Sequence, residues 1–144
     1  MSTHTASLAW SRGTADFTYE SYPRDHEVTF GTGSSVTASA AAEYRGSPNL
    51  VNPEEQLVAA LASCHMLTFL AICARKRIVV ENYLDAAEGV LEKNAEGRLA
   101  VTRVVLRPRV TFGGDAPADL AELHHKAHEG CFIANSVRTV VTVE

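Results

Sequence analysis

Residues 52 to 77 read NPEEQLVAALASCHMLTFLAICARKR, the longest apolar stretch of helical character in the chain. The spacing predicts a helix over 52–77. Asn52 can cap the free amides, Pro53 suits the first helical position, and Glu54 and Glu55 complement the positive end of the helix dipole. Asn52 and Glu55 also stand at capping-box separation. Leu57, Ala60, Leu61, Cys64, Leu67, Thr68 and Ala71 keep a 3.6-residue period. Val58, Met66, Phe69, Leu70 and Ile72 then leave almost no polar face before the cationic stop Arg75-Lys76-Arg77. A helix apolar all round is expected to be buried on all sides, by a sheet or by a second copy of itself, so the stretch already points to a dimer. It is about as long as a membrane span, but Gln56, Ser63, His65 and Thr68 interrupt it and the rest of the chain is strand-rich. No membrane role is expected.

Outside this helix, composition sets the bounds. With 144 residues, 46% hydrophobic, the chain suits a single domain over 1–144 with a real core and no linker to split it. A net charge of −4, from 17 acidic and 13 basic residues, argues against a nucleic-acid surface, although basic residues gather between Arg98 and Arg109. No charged-then-apolar signal opens the chain, so a cytoplasmic location is expected. Three cysteines then read as thiols for chemistry or burial and less well as a disulfide framework.

In chain order, the N-terminal strands occupy 1–51. Thr5 to Trp10 and Phe17 to Tyr22 alternate as a hairpin would, and His26 to Phe30 and Val36 to Ala40 read as two more strands joined through Gly31-Thr32-Gly33. After the central helix a long hairpin is expected over 79–112. Its arms are Val79 to Leu91 and Leu99 to Phe112, its turn Asn94 to Gly97. Val104, Leu106, Val110 and Phe112 share one face of the second arm; Arg103, Arg107 and Arg109 share the other, and Pro108 suggests an edge or bulge. A second helix is expected over 116–130 with Gly130 as its cap, followed by the Cys131 turn and a final strand, Arg138 to Val143. That order is α+β.

The residues alone leave the chemistry open. Cys64 lies mid-helix, where the dipole does little for its pKa, so reactivity would need a cationic neighbour such as Arg24 or Arg45. The bland alternative is a small core residue, and Cys73 fits that description. His65 cannot serve Cys64 as a base, because adjacent helical side chains point about 100° apart. His124, His125, His128 and Cys131 form H-H-x-x-H-x-x-C, a spacing that could hold a metal; histidines near a helix C-terminus also answer the dipole with no metal at all.

Taken together, Asn52-Pro53-Glu54-Glu55-Gln56-Leu57, then Ala62-Ser63-Cys64, then Gly130-Cys131 resemble the OsmC/Ohr family of thiol-dependent peroxidases, over nearly the whole chain. Tyr22-Pro23-Arg24-Asp25-His26, Tyr44-Arg45-Gly46 and Cys64-His65-Met66 place the resemblance on the OsmC-like side. It implies antiparallel sheets wrapped around a long buried central helix, and an intertwined homodimer with active sites at the interface. It also implies Cys64 as the peroxidatic cysteine, Cys131 as the resolving one, Arg24 as the arginine that stabilises the thiolate, with Arg45 the alternative, and Glu54 as its carboxylate partner. Organic hydroperoxides would be reduced to alcohols through a Cys64 sulfenic acid and a Cys64–Cys131 disulfide. An external dithiol or thiol protein would complete the cycle, with no cofactor and no metal.

Leu61, Met66, Phe132 and Ile133 are expected to line an apolar substrate pocket, which favours organic hydroperoxides over hydrogen peroxide. Glu54 and Cys64 stand ten residues apart, about 15 Å along a helix, a gap that an arginine between them, a break near the helix start or a Glu54 donated by the second subunit would close, the last being favoured. Two other readings remain at this point. One is a non-catalytic dimeric protein that binds a small ligand in the same pocket; the other is a metal-binding protein built on the histidines and Cys131.

Overall fold

The computed structural model describes all 144 residues, Met1–Glu144. The elements in order are β1 (Ala6–Ala9), β2 (His26–Phe30), β3 (Ser35–Ala38), α1 (Pro53–Arg75), β4 (Val80–Asp85), β5 (Glu88–Lys93), β6 (Leu99–Leu106), β7 (Pro108–Phe112), α2 (Leu120–Glu129) and β8 (Val140–Val143), with 3-10 turns at Ala42–Tyr44 and Ala134–Ser136. The class is α+β, as the element order of the sequence implies. Two compact units divide the chain, Met1–Gln56 and Leu57–Glu144.

In the N-terminal unit β1, β2 and β3 form one antiparallel sheet with β2 in the middle, pairing Leu8 with Val28 and Val28 with Val36. The expected hairpin between 5–10 and 17–22 does not form. β1 pairs with β2 instead, and Phe17 to Tyr22 is a turn in which the amides of Ser21 and Tyr22 both donate to the Thr18 carbonyl. The Ser21 hydroxyl also bonds the Asp16 carbonyl and the Thr18 hydroxyl, so local side-chain bonding outcompetes the strand that the alternating aromatics suggest. Further on, Arg45 takes a left-handed φ of 65°. At Gly46 a Cβ would lie 1.6 Å from the Ala40 carbonyl oxygen, so the loop closes only over glycine.

Helix α1 begins as its sequence requires. The Asn52 side chain accepts from the Glu55 amide at 2.9 Å while the Glu55 carboxylate accepts from the Asn52 amide at 3.2 Å, a complete capping box. Its end is a Schellman turn: Arg77 at φ 60° donates to Ala74, and Ile78 donates to Cys73. The helix is 23 residues long with a mean hydropathy of 2.1 over its most apolar window, enough to cross a membrane by length and composition alone. The expectation of burial on all sides is not met within one chain. Only the stripe Leu61, His65, Phe69 and Cys73 is buried, and Leu67 on another face is 60% exposed.

That stripe meets two cores. Phe69 and Cys73 pack with Leu123 and Ala127 of α2, while Leu61 packs with Val104 and Leu106 of β6. The long hairpin is broken in two. β4 pairs with β7, and β5 pairs with β6 in a sheet completed by parallel pairing of β6 with β8. The switch falls at Ala86-Ala87 on one arm and Arg107 on the other. There the Arg107 amide donates to the Asp85 carboxylate at 2.8 Å, and Pro108 has no amide to continue the ladder. The turn at Asn94–Gly97 forms where expected, with Gly97 at φ 76°. α2 starts at Leu120, later than the expected 116, because Pro117 disfavours helical backbone in the residue before it.

Candidate functional site

Gly130 closes α2 in ordinary right-handed geometry, so its role is space and not handedness. A Cβ there would stand 3.2 Å from the Thr68 methyl, one turn past Cys64 on α1. Close approach at this point carries the next residue, Cys131, onto Cys64. Cys131 is 1% exposed and Cys64 half-buried, and both are free thiols.

Burial is the largest single influence on the Cys64 thiol and resists its ionisation. It is outweighed by donors: the Ile133 amide, the Cys131 S–H, the Phe132 amide and the Thr68 hydroxyl together leave Cys64 below its ordinary value of 9.0. The Thr68 hydroxyl lies 2.8 Å from the Cys64 carbonyl, so its one proton is shared with the backbone and the amides matter more. Cys131 moves the other way. Burial raises its thiol, and the hydrogen bond and charge of Cys64 add to that against the Ala134 amide, which reaches the Cys131 sulfur at 3.4 Å. The two thiols are thus moved apart, Cys64 below its ordinary value and Cys131 above it.

Of the residues expected at the site, the structure brings together Cys64, Cys131 and the backbone of Phe132 and Ile133. The Phe132 ring itself is 80% exposed, the Ile133 side chain packs on the Leu61 core, Leu61 is fully buried in that core, and Met66 is half-buried. Arg24 and Glu54 belong to the N-terminal unit. The Arg24 guanidinium donates to the Tyr22 and Tyr19 carbonyls and stacks 3.5 Å over the Tyr22 ring, beside a cavity of about 500 Å³ walled by Trp10, Phe17 and Tyr22. Arg45, the alternative arginine, lies 5.6 Å over the Tyr19 ring that Arg24 also faces.

The histidine–cysteine metal pattern does not assemble. Cys131 faces Cys64, exposed His125 pairs with Glu129 at 3.3 Å, and no three His, Cys, Asp or Glu side chains converge as a metal ion needs. What the sequence reading missed is a buried imidazole pair. His65 Nε2 lies 3.0 Å from His124 Nδ1 with the rings parallel, and His124 stacks in turn on Phe69. Burial, with the charges of His124 and His128, pushes His65 down to about 4. The signal was present: His65 continues the four-residue spacing of Leu61, Phe69 and Cys73.

With this geometry in view, residues 46–144 match the family model for OsmC-like protein. An OsmC-like protein of unknown function from Vibrio cholerae is 47% identical, with a TM-score of 0.94 over 100% of this chain and 99% of that one. An organic hydroperoxide resistance protein from Legionella pneumophila shares the fold at 20% identity, TM-score 0.72, over 100% of this chain and 98% of that one. The uncharacterised protein YmaD of Bacillus subtilis is 27% identical over 126 residues, 84% of this chain and 83% of its own length.

Proposed function

Because the chain belongs to the OsmC-like family, we propose that it is a two-cysteine peroxidase that reduces organic hydroperoxides to alcohols. The carrying observation is the facing pair: a Cys64 whose thiol is lowered by hydrogen-bond donors beside a buried Cys131 whose thiol is raised. The Cys64 thiolate attacks the distal peroxide oxygen, the O–O bond breaks, and the alcohol leaves after taking up a proton. Cys64 is oxidised to sulfenic acid. Cys131 then attacks the Cys64 sulfur, a disulfide forms and water departs; an external dithiol returns both to thiols. Beyond that reductant the cycle needs no cofactor.

The preference for organic peroxides rests on the exposed Phe132 ring next to the cysteine pair, which gains by burying an alkyl group. The exposed apolar face of α1 around Leu67 supports a homodimer, and three free thiols suit a reducing, cytoplasmic setting. After one equivalent of cumene hydroperoxide, mass spectrometry under non-reducing conditions should find a stoichiometric Cys64–Cys131 disulfide. Unmodified thiols at both positions would overturn the reading.

In this reading Arg24 takes the role of the thiolate-stabilising arginine and Glu54 that of its carboxylate partner. α1 is unbroken, so ten residues put Glu54 and Cys64 about 15 Å apart along the axis. That distance favours a Glu54 that serves the other protomer's site. A heterodimer of Glu54→Gln and Cys64→Ser chains then keeps one intact site and about half the wild-type activity, since one of two sites survives. An inactive heterodimer would place Glu54 in its own chain's site.

A further inference from the structure

A second cavity, about 700 Å³, lies against α2 and β8 and is lined by Leu120, Val141 and Val143 together with His124, His125, His128 and Glu144. That volume is in the range that takes small organic ligands. We infer that it binds an uncharged carbonyl compound with an aliphatic body, whose oxygen accepts hydrogen bonds from the Nε2–H groups of His124 and His128.

The tautomers follow from which nitrogens are stranded. His65 and His124 share one hydrogen across 3.0 Å, between Nε2 of the first and Nδ1 of the second. His65 Nδ1 is buried without a partner. A buried N–H with no acceptor costs more than a bare lone pair with no donor, so the His65 proton sits on Nε2 and is donated to His124. His124 is 9% exposed, and burial holds it below its ordinary value although nearby Asp85 works the other way; it is neutral. Its Nδ1 being the acceptor, its own proton is on Nε2. His128 Nδ1 is likewise buried and unpartnered, which puts that proton on Nε2 as well.

His124 and His128 stand one turn apart on the same helix face and both line the cavity. Neither meets an acceptor in the protein. A single oxygen with two lone pairs answers both, and a carbonyl has them. Charge decides against a carboxylate. Glu144 lies in the same wall, its charge only partly offset by Arg107 at 2.8 Å, and the charge of Asp85 reaches His124, so an anionic head meets an unfavourable field that a ketone, aldehyde or ester does not. Leu120, Val141 and Val143 take the aliphatic body.

The test is a titration of the ¹⁵N-labelled full chain with 2-nonanone, followed in long-range ¹H–¹⁵N spectra of the imidazoles, with octanoate as the charged comparator. The free protein should show Nε2–H tautomers at His65, His124 and His128. Nonanone should then shift the His124 and His128 signals saturably and leave exposed His4, which does not line the cavity, unmoved, with octanoate at least about tenfold weaker. A protonated Nδ1 at His124, the absence of a saturable shift, or octanoate binding as tightly as the ketone would overturn the inference. Ala121→Phe, at an exposed helix position on the cavity rim, should abolish the nonanone shift in a folded protein; a shift that persists in this variant also overturns it.

Discussion

Two cysteines nine residues apart on α1 share a helix and little else. Nine residues turn a helix by about 900°, so Cys64 and Cys73 face opposite ways. Burial is the largest influence on each and pushes both thiols up. Cys73 has no hydrogen-bond donor to answer it among Phe69, Leu123 and Ala127; Asp119 raises it further and Lys76 offsets only part. Cys64 meets the amides of Ile133 and Phe132 and the Cys131 thiol, and ends below 9.0. Desolvation alone therefore says nothing of reactivity. The count of N–H and S–H donors reaching the sulfur does.

Labelling with iodoacetamide at neutral pH makes the contrast quantitative. Cys64 should react at least about a hundredfold faster than Cys73, because thiolate character and access both favour it. Its rate should inflect with pH below 9.0, while Cys131→Ala, which removes the S–H donor, should move the inflection up. Equal rates at the two cysteines, or an inflection at or above 9.0, would break the comparison.

The difference between these cysteines was only half legible in the sequence. Asn52, Pro53 and Glu55 announced the helix start, and the capping box they form is local chemistry that one sequence carries in full. The Asn94–Gly97 turn and the Gly130-Cys131 pair were legible for the same reason. Cys73 as a core thiol followed from its apolar neighbours. The donors to Cys64 were not legible, since backbone amides leave no mark in residue identity and Phe132 and Ile133 had been read for their side chains. The split hairpin was hidden as well: it depends on Arg107 reaching Asp85, 22 residues away in sequence. In the turn at 17–22 the alternation of aromatics pointed to a strand, and Ser21 and Thr18 overrode it.

His65 extends the comparison to the next residue along the chain, because it turns from the Cys64 face into the same buried stripe as Cys73. There it must stay neutral. Burial, His124 and His128 lower its imidazole from 6.5 to about 4, so between those values the native chain holds fewer protons than the unfolded one. The stability this represents is complete above pH 6.5 and is lost as pH falls towards 4. At about 1.4 kcal/mol per pH unit the loss comes to about 3 kcal/mol, a modest effect beside the labelling contrast. His124, also lowered by burial, adds to the same slope. Urea unfolding of the wild type and His65→Gln at about pH 7.5, 5.5 and 4.5 isolates the contribution, since every other group titrates in both. The wild type should lose more stability on acidification than the variant, by an amount approaching that figure. Parallel slopes would mean that the imidazole pair accepts a proton without cost, and that the stripe is less sealed than its burial implies.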